Sequence, residues 1–125
     1  MTKDFSTPVT VTCHCGGVAL NVQLLDGLNT ARRCDCSLCR RRGAIMVTAA
    51  MGGIEVVRAD SLSLYQFGTR TAKHYFCGTC GIYTHHQRRS NPQQYGVNAG
   101  AIVGVNPSDI PDVPWMDGVH HPSDQ

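Results

Sequence analysis

Seven cysteines in a chain of 125 residues, gathered into three tight groups, constrain this fold more than any other feature. The groups are Cys13-His14-Cys15-Gly16-Gly17, Cys34-Asp35-Cys36-Ser37-Leu38-Cys39 and Cys77-Gly78-Thr79-Cys80-Gly81. An odd count argues against a disulfide framework. The N-terminus, Met1-Thr2-Lys3-Asp4-Phe5, leads into no apolar stretch that reads as a signal peptide. The most apolar segment, residues 44–54, is interrupted by Thr48, Gly52 and Gly53 and is too short to span a bilayer. The expectation is a cytoplasmic protein with no membrane association, whose thiols stay reduced and bind metal.

Composition sharpens the point. With 42% hydrophobic and 6% aromatic residues, three Phe and one Trp, the chain has few large side chains to anchor a core. Metal cross-links would then contribute folding energy directly. A charged fraction of 16% is too low for a disordered chain. The length fits one domain spanning residues 1–125, with a core over about 9–105 and an irregular tail over 106–125. That tail holds Asp109, Asp112, Asp117 and Asp124 and no Lys or Arg.

All six prolines lie outside residues 9–91, with Pro8 just before that stretch and Pro92 just after it, so every N–H between is free for sheet ladders. The patterning there is mostly period two. Val9 and Val11 alternate with threonine, and Val18, Leu20, Val22 and Leu24 alternate with smaller or polar residues. Ile45, Val47 and Ala49 form a third run, and Ile54 to Arg58 resume a strand after a Gly52-Gly53 turn. Residues 71–76 pair with 82–86, and 95–101 form a last strand. Ser37 to Arg42 reads as a helical turn with Ser37 as its N-cap. The chain is mainly β.

The first and third cysteine groups each lie between two strand-like runs, at hairpin turns. Together they supply four sulfurs, the closed tetrahedral set of a structural zinc, and a glycine after each pair permits the φ > 0 turn. The competing reading is a set of ordinary buried thiols. The middle group offers three thiolates and no fourth, the pattern of a catalytic zinc with one open position. Soft sulfur ligands select Zn²⁺ over Mg²⁺ or Mn²⁺. Two alternatives stay open: His14, His74, His85 or His86 closes the site, or the group holds iron and sulfide, although its spacing matches neither common ferredoxin pattern.

These three motifs, in this order, resemble the glutathione-dependent formaldehyde-activating (GFA) family, which shares a domain with the centromere protein CENP-V. The similarity covers about residues 9–105. It implies a zinc-dependent β-tent of small antiparallel sheets and two Zn²⁺ per chain. By the resemblance Cys13, Cys15, Cys77 and Cys80 hold the structural zinc, and Cys34, Cys36 and Cys39 hold the second, catalytic one. The implied activity is that of S-(hydroxymethyl)glutathione synthase, a carbon–sulfur lyase whose partners are a glutathione-like thiol and an aldehyde. The segment Trp115-Met116-Asp117-Gly118-Val119-His120-His121-Pro122 is similar to the tail of short bacterial members.

No catalytic side chain is assigned from sequence. His74, Tyr83, His85 and His86 have suitable proton chemistry, but adjacent strand residues point oppositely, so at most one of His85 and His86 faces a given site. Arg40, Arg41 and Arg42 either bind carboxylates of an acidic thiol or balance thiolate charge in solvent. Two rival functions remain: a zinc-stabilised binding module without catalysis, and a thiol-based redox or zinc sensor. Nucleic acid is disfavoured, because two Zn²⁺ and seven thiolates bring the formal charge from +2 to about −1 and no aromatics interleave the arginines.

Overall fold

Alternating valines and threonines build the first hairpin. Val9–Thr12 (β1) and Val18–Leu24 (β2) pair antiparallel, with Val11 opposite Leu20 and Thr12 opposite Ala19. Val9, Val11, Val18, Leu20, Val22 and Leu24 turn inward, while Thr10 and Asn21 face solvent. The computed structural model describes residues 5–120. Its further elements are Arg33–Cys34 (β3), the single turn Cys39–Arg42 (α1), Met46–Ala59 (β4), Leu62–Tyr65 (β5), Lys73–Cys77 (β6), Tyr83–Gln87 (β7), Gln94–Asn98 (β8) and Trp115–Met116 (β9). Two 3-10 turns, Ala99–Ala101 and Pro107–Asp109, follow β8.

Seven strands form one antiparallel sheet in the order β1-β2-β4-β8-β7-β6-β5, and β3 pairs with β9 in parallel. The 14-residue β4 is the hinge of the sheet. Its first half, Met46 to Ala50, pairs with β8, and its second half, Ile54 to Ala59, pairs with β2. The Gly52-Gly53 turn read from sequence is not a turn between strands: β4 runs through it as a bulge opposite Gln23. A Cβ at Gly53 would sit 2.9 Å from the Gln23 carbonyl oxygen and 3.1 Å from that of Ala50, so the bulge needs a residue without a side chain.

After β8 the chain returns to the free edge of β1, where Ile102 bridges Val11 and the Val103 N–H donates to Thr10 O at 2.9 Å. This covers an edge that would otherwise offer unpaired backbone groups. In the core, Val11, Val18, Leu20, Val22, Val47 and Val97 expose no surface. Each such side chain contributes about 1.5–3 kcal/mol when fully buried.

Other sequence expectations change as well, and the strand expected over 95–101 ends at Asn98 rather than at residue 101. The strand Leu62–Tyr65 was not expected, because its Leu-Ser-Leu-Tyr run is short and half exposed at the sheet edge. Ser37 is not the N-cap of α1; Leu38 is, with no side-chain cap bond. The tail is not wholly irregular, since Trp115 and Met116 form β9, while residues 121–125 lie outside the described residues.

Candidate metal centres

The β1–β2 and β6–β7 turns bring four cysteines together across the molecule. The Sγ atoms of Cys13, Cys15, Cys77 and Cys80 all lie within 4.8 Å of one another. Cys15 Sγ is 3.7 Å from Cys13 Sγ and 3.6 Å from Cys77 Sγ. Four thiolates about 2.3 Å from one tetrahedral ion would be spaced about 3.8 Å apart, so the cluster has zinc dimensions. Backbone N–H groups already point at the sulfurs: Val18 donates to Cys13 at 3.3 Å, and Thr79 and Cys80 donate to Cys77 at 3.4 Å. The Ser61 hydroxyl lies 3.0 Å from Cys77 Sγ. That hydroxyl, then the Cys80 and Thr79 N–H groups, hold the Cys77 thiol down to about 5. Gly16 and Gly81, after the second cysteine of each turn, take φ of +84° and +81°, as the turn geometry demands.

The middle group folds as a compact loop at the start of α1. Cys34, Cys36 and Cys39 also place their sulfurs within 4.8 Å of one another, and the Cys39 N–H donates to Cys36 Sγ at 3.3 Å. The Cys34 and Cys39 thiols hold Cys36 far below the ordinary thiol range. Three thiols so close cannot all ionise without a cation among them, so the donor set suits a soft divalent metal. Among the described residues no histidine nitrogen or carboxylate oxygen joins this group. Candidate closure by His14, His74, His85 or His86 therefore has no support in the geometry. His14 is exposed at the other cluster.

The C-terminal tail forms one wall of the middle cluster. β9 lies beside β3, with Cys34 opposite Met116. The Asp35 carboxylate accepts from the N–H of Gly118 at 2.7 Å and of Val119 at 3.2 Å. Gly118 packs so closely that a Cβ there would lie 2.6 Å from Cys36 Cβ and 2.8 Å from Cys36 N. The sequence flagged this tail without showing its contact, which joins positions more than 80 residues apart.

The three cysteines open into a cavity of about 640 Å³, whose walls include His74, His86, Phe67, Arg32 and Arg88. His85 does not line it; its ring stacks on Tyr75 at 4.6 Å on the other side of β7, as strand alternation requires. His74 and His86 stack at 5.1 Å. Burial, then the nearby Arg42, pushes His74 down to about 4, and burial pushes His86 well below its ordinary value, so both are neutral at neutral pH. Arg42 Nη2 lies 3.0 Å from His74 Nδ1. A guanidinium only donates, so Nδ1 accepts and the His74 proton sits on Nε2. Arg42 also covers the Tyr83 ring at 3.7 Å, and the Tyr83 hydroxyl lies 2.6 Å from His86 Nδ1. Gly96 leaves room for that imidazole, since a Cβ there would meet Nδ1 at 2.9 Å.

Of Arg40, Arg41 and Arg42, only Arg40 lines the cavity. Arg41 donates to Ser37 O at 2.7 Å, and Arg42 serves His74. Arg88 went unnoticed because an Arg88-Arg89 pair at a strand end carries no periodic or motif signal.

Comparison with known proteins agrees with this arrangement. The model of the family "Glutathione-dependent formaldehyde-activating enzyme" matches residues 8–111, which contain all seven cysteines. A crystal structure of a Rhodobacter sphaeroides protein is similar, at 65% identity and a TM-score of 0.84 over 86% of this chain and 99% of that one. Three cysteine motifs in order, two sulfur clusters and the family match over most of the chain lead to one conclusion: the protein belongs to the glutathione-dependent formaldehyde-activating enzyme family.

Proposed function

We propose that the protein is a zinc-dependent carbon–sulfur lyase that joins a glutathione-like thiol to an aldehyde and reverses that step. The observation that carries the reading is the contrast between the two clusters. One has four sulfurs; the other has three and faces a cavity lined by neutral histidines. Cys13, Cys15, Cys77 and Cys80 would hold a structural zinc, and Cys34, Cys36 and Cys39 a second one. Zinc at the second cluster would supply an acidified substrate thiol and a Lewis acid.

The chain's own residues support the rest. As the thiolate sulfur attacks the aldehyde carbon, the C–S bond forms, the carbonyl π bond breaks and its oxygen becomes an alkoxide, which takes from solvent the proton that the substrate thiol released on ionising. His74 presents Nε2–H, fixed by Arg42, as a donor for that oxygen. His86 is oriented by Tyr83, whose hydroxyl burial keeps protonated. Phe67, stacked on His74 at 5.8 Å, shields the ring from water. The reverse reaction returns the proton and breaks the C–S bond. No electrons are transferred overall.

The test is carbon-13 exchange NMR between hydrated formaldehyde and S-(hydroxymethyl)glutathione. The protein should raise the exchange rate well above the spontaneous one, and Cys36→Ser should abolish the increase. Wild-type protein with two bound zinc ions and no effect on exchange would leave the binding-module reading ahead.

A further inference from the structure

Among the described residues two buried guanidinium nitrogens have no hydrogen-bond partner, Arg42 Nη1 and Arg88 Nη2, and of these two side chains only Arg88 lines the cavity. Arg88 follows β7 and is 4% exposed. Its N–H donates to Gln94 O at 3.1 Å and its Nη1 to Gln94 Oε1 at 3.0 Å, which fixes the side chain at the base of the β7–β8 hairpin. Nη2 is buried and has no hydrogen-bond partner. A buried charged donor left unpaired is among the more expensive features a fold can carry.

The surroundings show which kind of ligand would relieve it. Arg32 and Arg88 line the same cavity as the three cysteines. Burial, then Arg32, lowers Arg88 to about 10, so it remains charged at neutral pH beside a like charge. The one carboxylate in the lining among the described residues, Asp117, is occupied: it accepts from His120 N at 3.0 Å and meets His120 Nδ1 at 3.1 Å. Among the described residues Arg32, Arg40, Arg88 and Arg89 line the cavity against that one carboxylate, so its lining is cationic.

We propose that Arg88, with Arg32 beside it, is the anion anchor of this cavity, and that the thiol taken there carries a carboxylate bound by Arg88 Nη2. This rests on the carbon–sulfur reading for the thiol, but not for the anion. An arginine held in place by Gln94 loses little freedom on pairing with a carboxylate, which favours affinity and orients the thiol end toward Cys34, Cys36 and Cys39. Uncharged thiols of similar size would be discriminated against.

S-methylglutathione, whose sulfur is blocked, and its diethyl ester separate the anion from the thiol. Isothermal titration of zinc-loaded wild-type protein should show the diacid binding at least about tenfold more tightly than the diester, and Arg88→Gln should weaken the diacid by roughly ten- to a hundredfold and remove the difference. Arg88→Lys keeps the charge without the planar fork and should retain part of it, which also covers the case where Arg88→Gln fails to fold. Equal binding of diacid and diester, no binding of the diacid at millimolar concentration, or an unchanged ratio in a folded Arg88→Gln would overturn the anchor. If exchange catalysis works equally well with glutathione and its diester, the lyase reading stands and the anchor falls. If Arg88-dependent diacid binding occurs without catalysis, the anchor stands and the lyase reading falls.

Discussion

His85 is buried with its ring against Tyr75 and its Nδ1 2.9 Å from the Thr84 hydroxyl, and burial alone lowers it to about 4. In the unfolded chain it titrates near 6.5. Between these values the unfolded state binds the extra proton, so stability rises with pH and is lost as pH falls from about 6.5 to about 4. The shift corresponds to on the order of 3 kcal/mol at most. His85→Phe should flatten the pH dependence of the urea midpoint between pH 7 and 5 by a measurable part of this. An unchanged slope would show that His85 is accessible to protons in the folded state. The residue scale is also where the sequence was most legible. Cysteine spacing identified both clusters, because metal ligands must be close together in three dimensions and short spacings achieve that locally. The pairing of Arg42 with His74, and the buried Nη2 of Arg88, were not legible, because they arise from contacts between distant strands.

At the scale of elements, the β9 tail and the β3–α1 loop act as one unit around the middle cysteines. Asp35 joins them through two backbone N–H groups, and bonds to a charged acceptor contribute about 1.5–3 kcal/mol each. Asp35→Ala should therefore weaken metal retention at the middle centre while leaving the other intact. Chelator competition would show one of two zinc ions released at least tenfold more readily; release of both ions together would contradict the account. Cys77→Ser tests the other centre, which ties two hairpins whose sequence separation is 62 residues between Cys15 and Cys77. It should yield unfolded or insoluble protein, whereas Cys36→Ser should retain the β signal in circular dichroism and lose one metal. Equal damage from both would mean that both centres are structural. Alternating valines made β1 and β2 legible. Gly52-Gly53 misled because glycines mark bulges as readily as turns, and only the pairing of β2 with the far half of β4 decides between them.

For the whole molecule, Cys13 and Cys77 of one sulfur cluster belong to the packed core, while Cys34, Cys36 and Cys39 of the other line the cavity. Among the described residues no helix is long and apolar enough to cross a membrane. The overall β architecture could be read from the chain because period-two patterning and a proline-free stretch of 83 residues, 9–91, leave little else to form. The closure of the sheet by Ile102 on Val11 and the parallel β3–β9 pair could not, since both depend on long-range contacts with no local pattern.

The central claim is that one sulfur centre is closed and the other accepts a substrate thiol. X-ray absorption at the zinc edge of protein carrying two zinc ions measures this directly. Seven cysteines shared by two ions give an average of roughly 3.5 sulfurs each, with a short oxygen shell making up the rest. Added glutathione should remove that shell and raise the average to roughly four, and Cys39→Ser should abolish the response. A spectrum unchanged across millimolar glutathione, or one zinc per chain in freshly purified protein, would contradict the claim.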